Sequence, residues 1–174
     1  MDETTPTPAA SNKTWLYVGL AVVALIILGF LFMGQGNPAA YFAPAGTDVD
    51  RNMDGSATYT TNEGSVTVGS NKMPENWPSD APTAYTGATI LYSGSTNPQT
   101  GAAGSAVSYS TNATAQAVVD YYTNGLKGAG WTIASSAEMA GIRVISATKD
   151  TRTMGVYIQD AGNGTVNVTA GIEL

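Results

Sequence analysis

Hydrophobic positions along the chain follow three patterns. From Trp15 to Met33, WLYVGLAVVALIILGFLFM is apolar without a break and carries no charge. Beyond residue 55, apolar residues alternate with polar ones in short runs. Near 113–127 they recur at helical spacing. The first pattern predicts a transmembrane helix over 15–34. At about 1.5 Å per residue such a helix covers most of the roughly 30 Å hydrocarbon core, with every amide paired internally. Trp15 and Tyr17 suit the headgroup layer at one end. A core helix apolar all round would need a far larger protein to bury it. A cleaved signal peptide is the other rival, because small residues follow in GQGNPAA. Its apolar core is normally shorter and follows a basic start, whereas this one follows MDETTPTPAASNK.

The second pattern predicts strands. SATYTT and SVTVGS flank Asn62-Glu63-Gly64 and read as a hairpin. ATILYSG (88–94), AVSYST (106–111), WTIASS, IRVISATK (142–149), TMGVYIQ (153–159) and TVNVTAGIEL (165–174) follow. IRVISATK is apolar on both faces near its middle, which predicts a central strand. Met154, Val156 and Ile158 alternate with Tyr157 and Gln159, and Val166, Val168, Ala170 and Ile172 with Asn167 and Thr169. The apolar sets are expected inward. The outer face then carries Thr153, Tyr157, Gln159, Thr165, Asn167 and Thr169. Asp150-Thr151 and Gly162-Asn163-Gly164 are hairpin-grade turns. The third pattern places one helix at about 113–127, with Asn112 as N-cap and Gly128 as stop. Ala115, Val118, Val119, Tyr122 and Leu126 form its apolar stripe. Trp131 is expected under the helix end. The fold class is α+β: one N-terminal transmembrane helix, then an antiparallel sheet with a single packed α-helix.

The organisation is a disordered tail (1–14), the span (15–34), a Gly/Pro/Ala linker (35–47) and a folded domain (48–174). Within the domain, 48–70 is an N-terminal hairpin region, 71–87 a Pro-rich strap, and 88–174 the sheet and helix. In the strap, Pro74, Pro78 and Pro82 recur every four residues and predict an extended, non-helical course. Trp77 and Tyr85 anchor it, with Trp77 expected over a sheet edge.

Composition narrows the chemistry. The 174 residues carry net charge −6, which disfavours nucleic acid and anionic lipid headgroups as partners. Cysteine and histidine are both absent. Disulfides, thiolate chemistry and the commonest general base are therefore excluded. Lys13 is the one basic residue before the span, so the positive-inside rule places the tail in the cytoplasm and the domain outside.

Two groups of candidate site residues stand out. Asp50, Asn52 and Asp54, followed by Gly55, match the start of a calcium loop. The twelfth position is Thr61 where a bidentate Glu belongs. A polar hairpin turn starting at Asp-Gly explains the same residues. Trp77, Tyr85, Tyr157 and Gln159 form a possible binding surface, with an ordinary strap anchor and solvated sheet face as the alternative. Asn112, Asn163 and Asn167 also match N-x-Thr acceptors.

The strap PENWPSDAPTAYTGA, the helix segment VVDYYTNGLKGAGW and the closing strands resemble a family of uncharacterised bacterial proteins. That resemblance covers residues 48–174 in outline. It implies one N-terminal span and one small extracytoplasmic α+β domain. Relatives often carry Pro where this chain has Thr86. The resemblance implies no activity and no catalytic residue.

Without His or Cys, catalysis would need a Ser–Lys pair or two converging acids. No Ser-x-x-Lys context is present, and no catalytic residue is assigned. The favoured reading is a membrane-anchored module, held in the bilayer by 15–34, that binds a protein or an envelope polymer. The alternatives are a subunit of a surface assembly, a calcium-stabilised envelope domain, and an acid-pair hydrolase.

Overall fold

The computed structural model describes residues 48–61, 64–96, 103–139 and 141–174. The expected tail, span and linker lie outside these residues, as do residues 62–63, 97–102 and 140. Among the described residues, no helix is long and apolar enough to cross a membrane.

Among the described residues, nine strands form one antiparallel sheet: β1 (Asp48–Arg51), β2 (Ala57–Thr61), β3 (Gly64–Val68), β4 (Thr89–Thr96), β5 (Gly104–Thr111), β6 (Thr132–Met139), β7 (Ile142–Lys149), β8 (Arg152–Asp160) and β9 (Val166–Glu173). Their spatial order is β1-β2-β3-β4-β5-β9-β8-β7-β6. The chain meanders from one edge to the middle at β5. The only described helix, α1 (Ala115–Gly128), then carries it across one face to the far edge at β6. Three hairpins bring it back until β9 pairs with β5. The α+β class with one packed helix is as expected.

Alternation decides the faces as read from the sequence. Met154, Val156, Ile158, Val166, Val168, Ala170 and Ile172 are all buried. They meet Val118, Tyr122 and Leu126 of α1, together with Val107 and Tyr109 of β5. The Asp150-Thr151 turn closes β7 onto β8, with Lys149 opposite Arg152 and Asp150 at φ 53°. Asp tolerates that left-handed backbone better than most residues.

Several expectations are corrected. The helix starts later than 113, and its N-cap is Thr114, whose hydroxyl accepts from the Ala117 amide at 3.2 Å. Asn112 precedes it as an exposed residue. Gly128 is the last helical residue; the stop comes at Ala129 and Gly130, where φ reaches +82°. Asp48–Arg51 is a ninth strand. IRVISATK is β7, second from an edge; it is apolar on both faces without being central, because β6 alone lies outside it. The strap is non-helical but not extended. Its backbone makes three successive turns, Trp77 to Pro74, Ala81 to Pro78 and Ala88 to Tyr85. It also crosses the middle of the sheet, since Asn76 bonds Gly104 and Ser105 of β5 and the Ile90 amide of β4 donates to Asn71. The reason is geometric. α1 covers β6 to β8, so the apolar side of the central strands needs another cover. Ala81, Met73, Trp77 and Tyr85 supply it.

Candidate functional site

The residues singled out in the sequence fall in three places. Asn52 and Asp54 lie in the tight turn joining β1 to β2. The Asn52 amide donates to Ser56 Oγ at 2.8 Å and Thr58 Oγ1 at 3.2 Å. Asp54 Oδ1 accepts from the Ser56 amide at 3.0 Å and its hydroxyl at 2.6 Å. These bonds hold the Asp54 carboxyl below its ordinary range, the Ser56 hydroxyl first. Asp50 is an exposed residue of β1 opposite Thr58. Among the described residues, no three acids gather as a metal site. The geometry here is that of an Asx-type hairpin turn closed by Gly55 at φ +84°.

Trp77 and Tyr85 sit on the helix side of the sheet, half-buried against the core. Tyr85 meets Tyr121 edge-on at 5.2 Å, and Tyr121 meets Tyr122 likewise. The Tyr109 hydroxyl donates to Tyr122 Oη at 3.1 Å, which donates to the Thr83 carbonyl at 3.1 Å. Burial pushes the Tyr109 phenol up to about 12 and raises that of Tyr122 well above its ordinary value. This relay ties the strap to α1 and β5.

A second tie was not read from the sequence. Asp80 accepts from both terminal nitrogens of Arg152, at 2.8 and 2.7 Å, and from Lys149 Nζ at 2.7 Å. Lys149 also donates to the Ala129 carbonyl at the end of α1. The Arg152 guanidinium lies 5.1 Å from the Trp131 ring, and the indole N–H donates to the Asp80 carbonyl. Arg152 first, then Lys149, holds the Asp80 carboxyl far below its ordinary value. Trp131 is buried under the helix end, as expected. The local signal for the tie was the Lys149-Asp-Thr-Arg152 hairpin, which must present both cations on one side.

Tyr157 and Gln159 point the other way, so the four residues of the expected surface do not come together. On the face opposite α1, strand pairing builds one row from Tyr92 (β4) through Ser108 (β5), Thr169 (β9) and Tyr157 (β8) to Val144 (β7). The next row is small throughout: Gly94, Ala106, Gly171, Gly155 and Ser146. A row of small residues therefore crosses five strands beside the two tyrosines, with Gly171 buried and Val66 crowding Gly94. Gln159 is exposed, but Thr153, Tyr157, Asn167 and Thr169 are half-buried, not fully solvated as the sequence implied. Neighbouring side chains on adjacent strands shield one another there. Thr169 donates to Ser108 Oγ, which donates to the Val168 carbonyl. The Tyr92 hydroxyl is buried beside these two. Burial raises its pKa, and the nearby Ser108 and Thr169 hydroxyls offset part of the rise.

Fold and faces together define an α+β domain: helix and strap pack on one side of the sheet, and the other side carries a row of hydroxyls and two tyrosines. A START domain-like family model matches residues 91–169, from Leu91 in β4 to Thr169 in β9. The similarity takes in α1 and every residue of the tyrosine row, on less than half of the 174 residues. No curated protein and no solved structure matches the chain.

Proposed function

We propose that the chain is a membrane-anchored, extracytoplasmic binding module. Residues 15–34 hold it in the bilayer and the folded domain engages a protein or an envelope polymer without catalysis. One observation carries this reading: the row Tyr92–Ser108–Thr169–Tyr157 gathers two phenols and two hydroxyls on the sheet face opposite α1. The START domain-like match over the same strands fits a ligand-binding module. An acid-pair hydrolase is disfavoured on physical grounds. A general acid needs a raised pKa. Asp80, the carboxylate most engaged with other side chains, is driven the opposite way by two cations.

The test is co-sedimentation. Full-length protein reconstituted in lipid vesicles should carry those vesicles down with insoluble cell-envelope material, while protein-free vesicles stay in the supernatant. Equal behaviour of the two would overturn the reading.

A further inference from the structure

We infer that Asn163, in the turn joining β8 to β9, is a self-modifying site: its side-chain amide is displaced by the Gly164 backbone nitrogen and ends as aspartate and isoaspartate. The inference is independent of the binding-module reading above. The chain contains three Asx-Gly pairs, Asp54-Gly55, Asn124-Gly125 and Asn163-Gly164. Glycine leaves its amide nitrogen open to the preceding side chain, because it has no Cβ to screen it. The sequence makes the three pairs look alike, and the structure separates them.

Residues 161–164 are all exposed. The β8–β9 ladder ends at Asp160 opposite Val166, and the Ala161 amide closes the turn on the Thr165 carbonyl. Among the described residues, no acceptor takes the Gly164 amide. Its proton is therefore open to solvent hydroxide. Asn163 Oδ1 accepts from the Thr165 amide at 3.0 Å. Negative charge develops on that oxygen when the Gly164 nitrogen bonds to Cγ, so the Thr165 N–H stabilises the step as an oxyanion donor does.

The atoms balance with water as co-reactant. Hydroxide takes the Gly164 proton, the N–Cγ bond forms, and the Cγ–Nδ2 bond breaks. The leaving nitrogen takes a proton from water and departs as ammonia, which restores the hydroxide. Water then adds to either carbonyl of the cyclic imide and opens it to aspartate or to the β-linked isomer. Each event adds a negative charge, and the β-linked product lengthens the turn backbone by an atom.

The other two pairs are protected. Asp54 Oδ1 also accepts the amide two residues on, from Ser56 at 3.0 Å. The Gly55 amide, however, is donated to the Asn52 carbonyl at 3.1 Å. The Ser56 hydroxyl, followed by its amide, favours the ionised Asp54 carboxyl, and a carboxylate resists attack. Asn124-Gly125 lies inside α1, where helical geometry commits the Gly125 amide to the carbonyl four residues back.

The experiment ages full-length protein in lipid nanodiscs in warm, mildly alkaline buffer, beside a free peptide of residues 160–166. Peptide mapping by mass spectrometry follows each amide-to-acid conversion, and isoaspartyl methylation locates the β-linked product. Asn163 should convert no more slowly than in the peptide. It should convert at least about tenfold faster than Asn124, whose reaction waits for helix opening. Isoaspartate should appear at 163 well before 54. Gly164→Ala, its fold checked by a thermal melt, should slow the conversion severalfold. Conversion of Asn163 more slowly than in the peptide means that the turn restrains it, and overturns the inference. Equal rates at Asn163 and Asn124 route the reaction through unfolded chain and overturn it as well. Neither result touches the co-sedimentation test.

Discussion

Asp80 joins three parts of the chain that sequence distance keeps apart. Lys149 and Arg152 lie 69 and 72 positions beyond it. In the sequence, Asp80 is an acid in a Pro-rich strap and its partners are strand ends. The two-residue hairpin sets both cations on one side, but nothing local reveals that this side meets the strap. Replacing Asp80 with Asn should lower stability by about 1 kcal/mol, the scale of a partly solvent-screened pair, read by urea denaturation. The pH dependence follows from the sign of the shift. The folded carboxyl titrates below its ordinary 3.8, so the stabilisation is complete above that value and is lost as pH falls towards the folded pKa. The gap between wild type and Asp80→Asn should be flat from pH 5 to 8 and close in acid; a gap constant down to about pH 2 would refute the linkage. Tyr122 is a simpler case. Its place in the apolar stripe was legible, but the hydroxyl relay was not, because Tyr109 and Thr83 come from other elements. Tyr122→Phe should cost about 1–2 kcal/mol by leaving a buried donor and a carbonyl unpaired, with Tyr109→Phe largely relieving the loss in the double variant.

At the level of elements, α1 contains two glycines near its end with opposite surroundings. A Cβ on Gly128 would meet nothing within 4 Å. A Cβ on Gly125 would sit 2.9 Å from Cγ of Pro82, a rigid ring in the strap. Both changes to Ala gain helix propensity of about 1 kcal/mol. Gly128→Ala should therefore stabilise by about 0.5–1 kcal/mol, whereas Gly125→Ala should destabilise by about 1 kcal/mol as the strap shifts. Thermal melts of the pair check this; equal effects would mean the strap yields freely. The helix was visible from its 3.6-residue spacing, yet its start was misplaced by the choice between Asn112 and Thr114. Both are good caps, and only the chain's exit from β5 decides which amide each can reach. Strand limits were read to within a residue where alternation is clean, as in β8. β1 was missed because its four exposed residues have no apolar side to alternate. The two sheet edges bear on the assembly alternative. β1 carries Asp48, Asp50 and Arg51, and β6 carries Glu138 and a bulge between Ile133 and Ser135. Charges and bulges discourage edge-to-edge pairing, so nanodisc-embedded protein should sediment as a monomer.

For the molecule as a whole, the proposed span at 15–34 would set where the domain works. Full-length protein should float with vesicles, and protease added to intact cells should digest the C-terminal portion; protection of that portion would reverse the proposed sidedness. The uncharged run, the two zeros in composition and the strand-and-helix periodicities were all determined by the sequence alone. Each depends on neighbours a few residues apart or on simple counts. The order of the strands, the strap's path over the sheet centre, the Asp80 tie and the tyrosine row were decided only in three dimensions. They depend on which strands become neighbours, and that choice is made by how one helix and one strap share the task of covering a nine-stranded sheet. Parity along a strand could say that Tyr157 faces away from the core. Only the pairing of β4, β5, β9 and β8 could set Tyr92, Ser108 and Thr169 beside it.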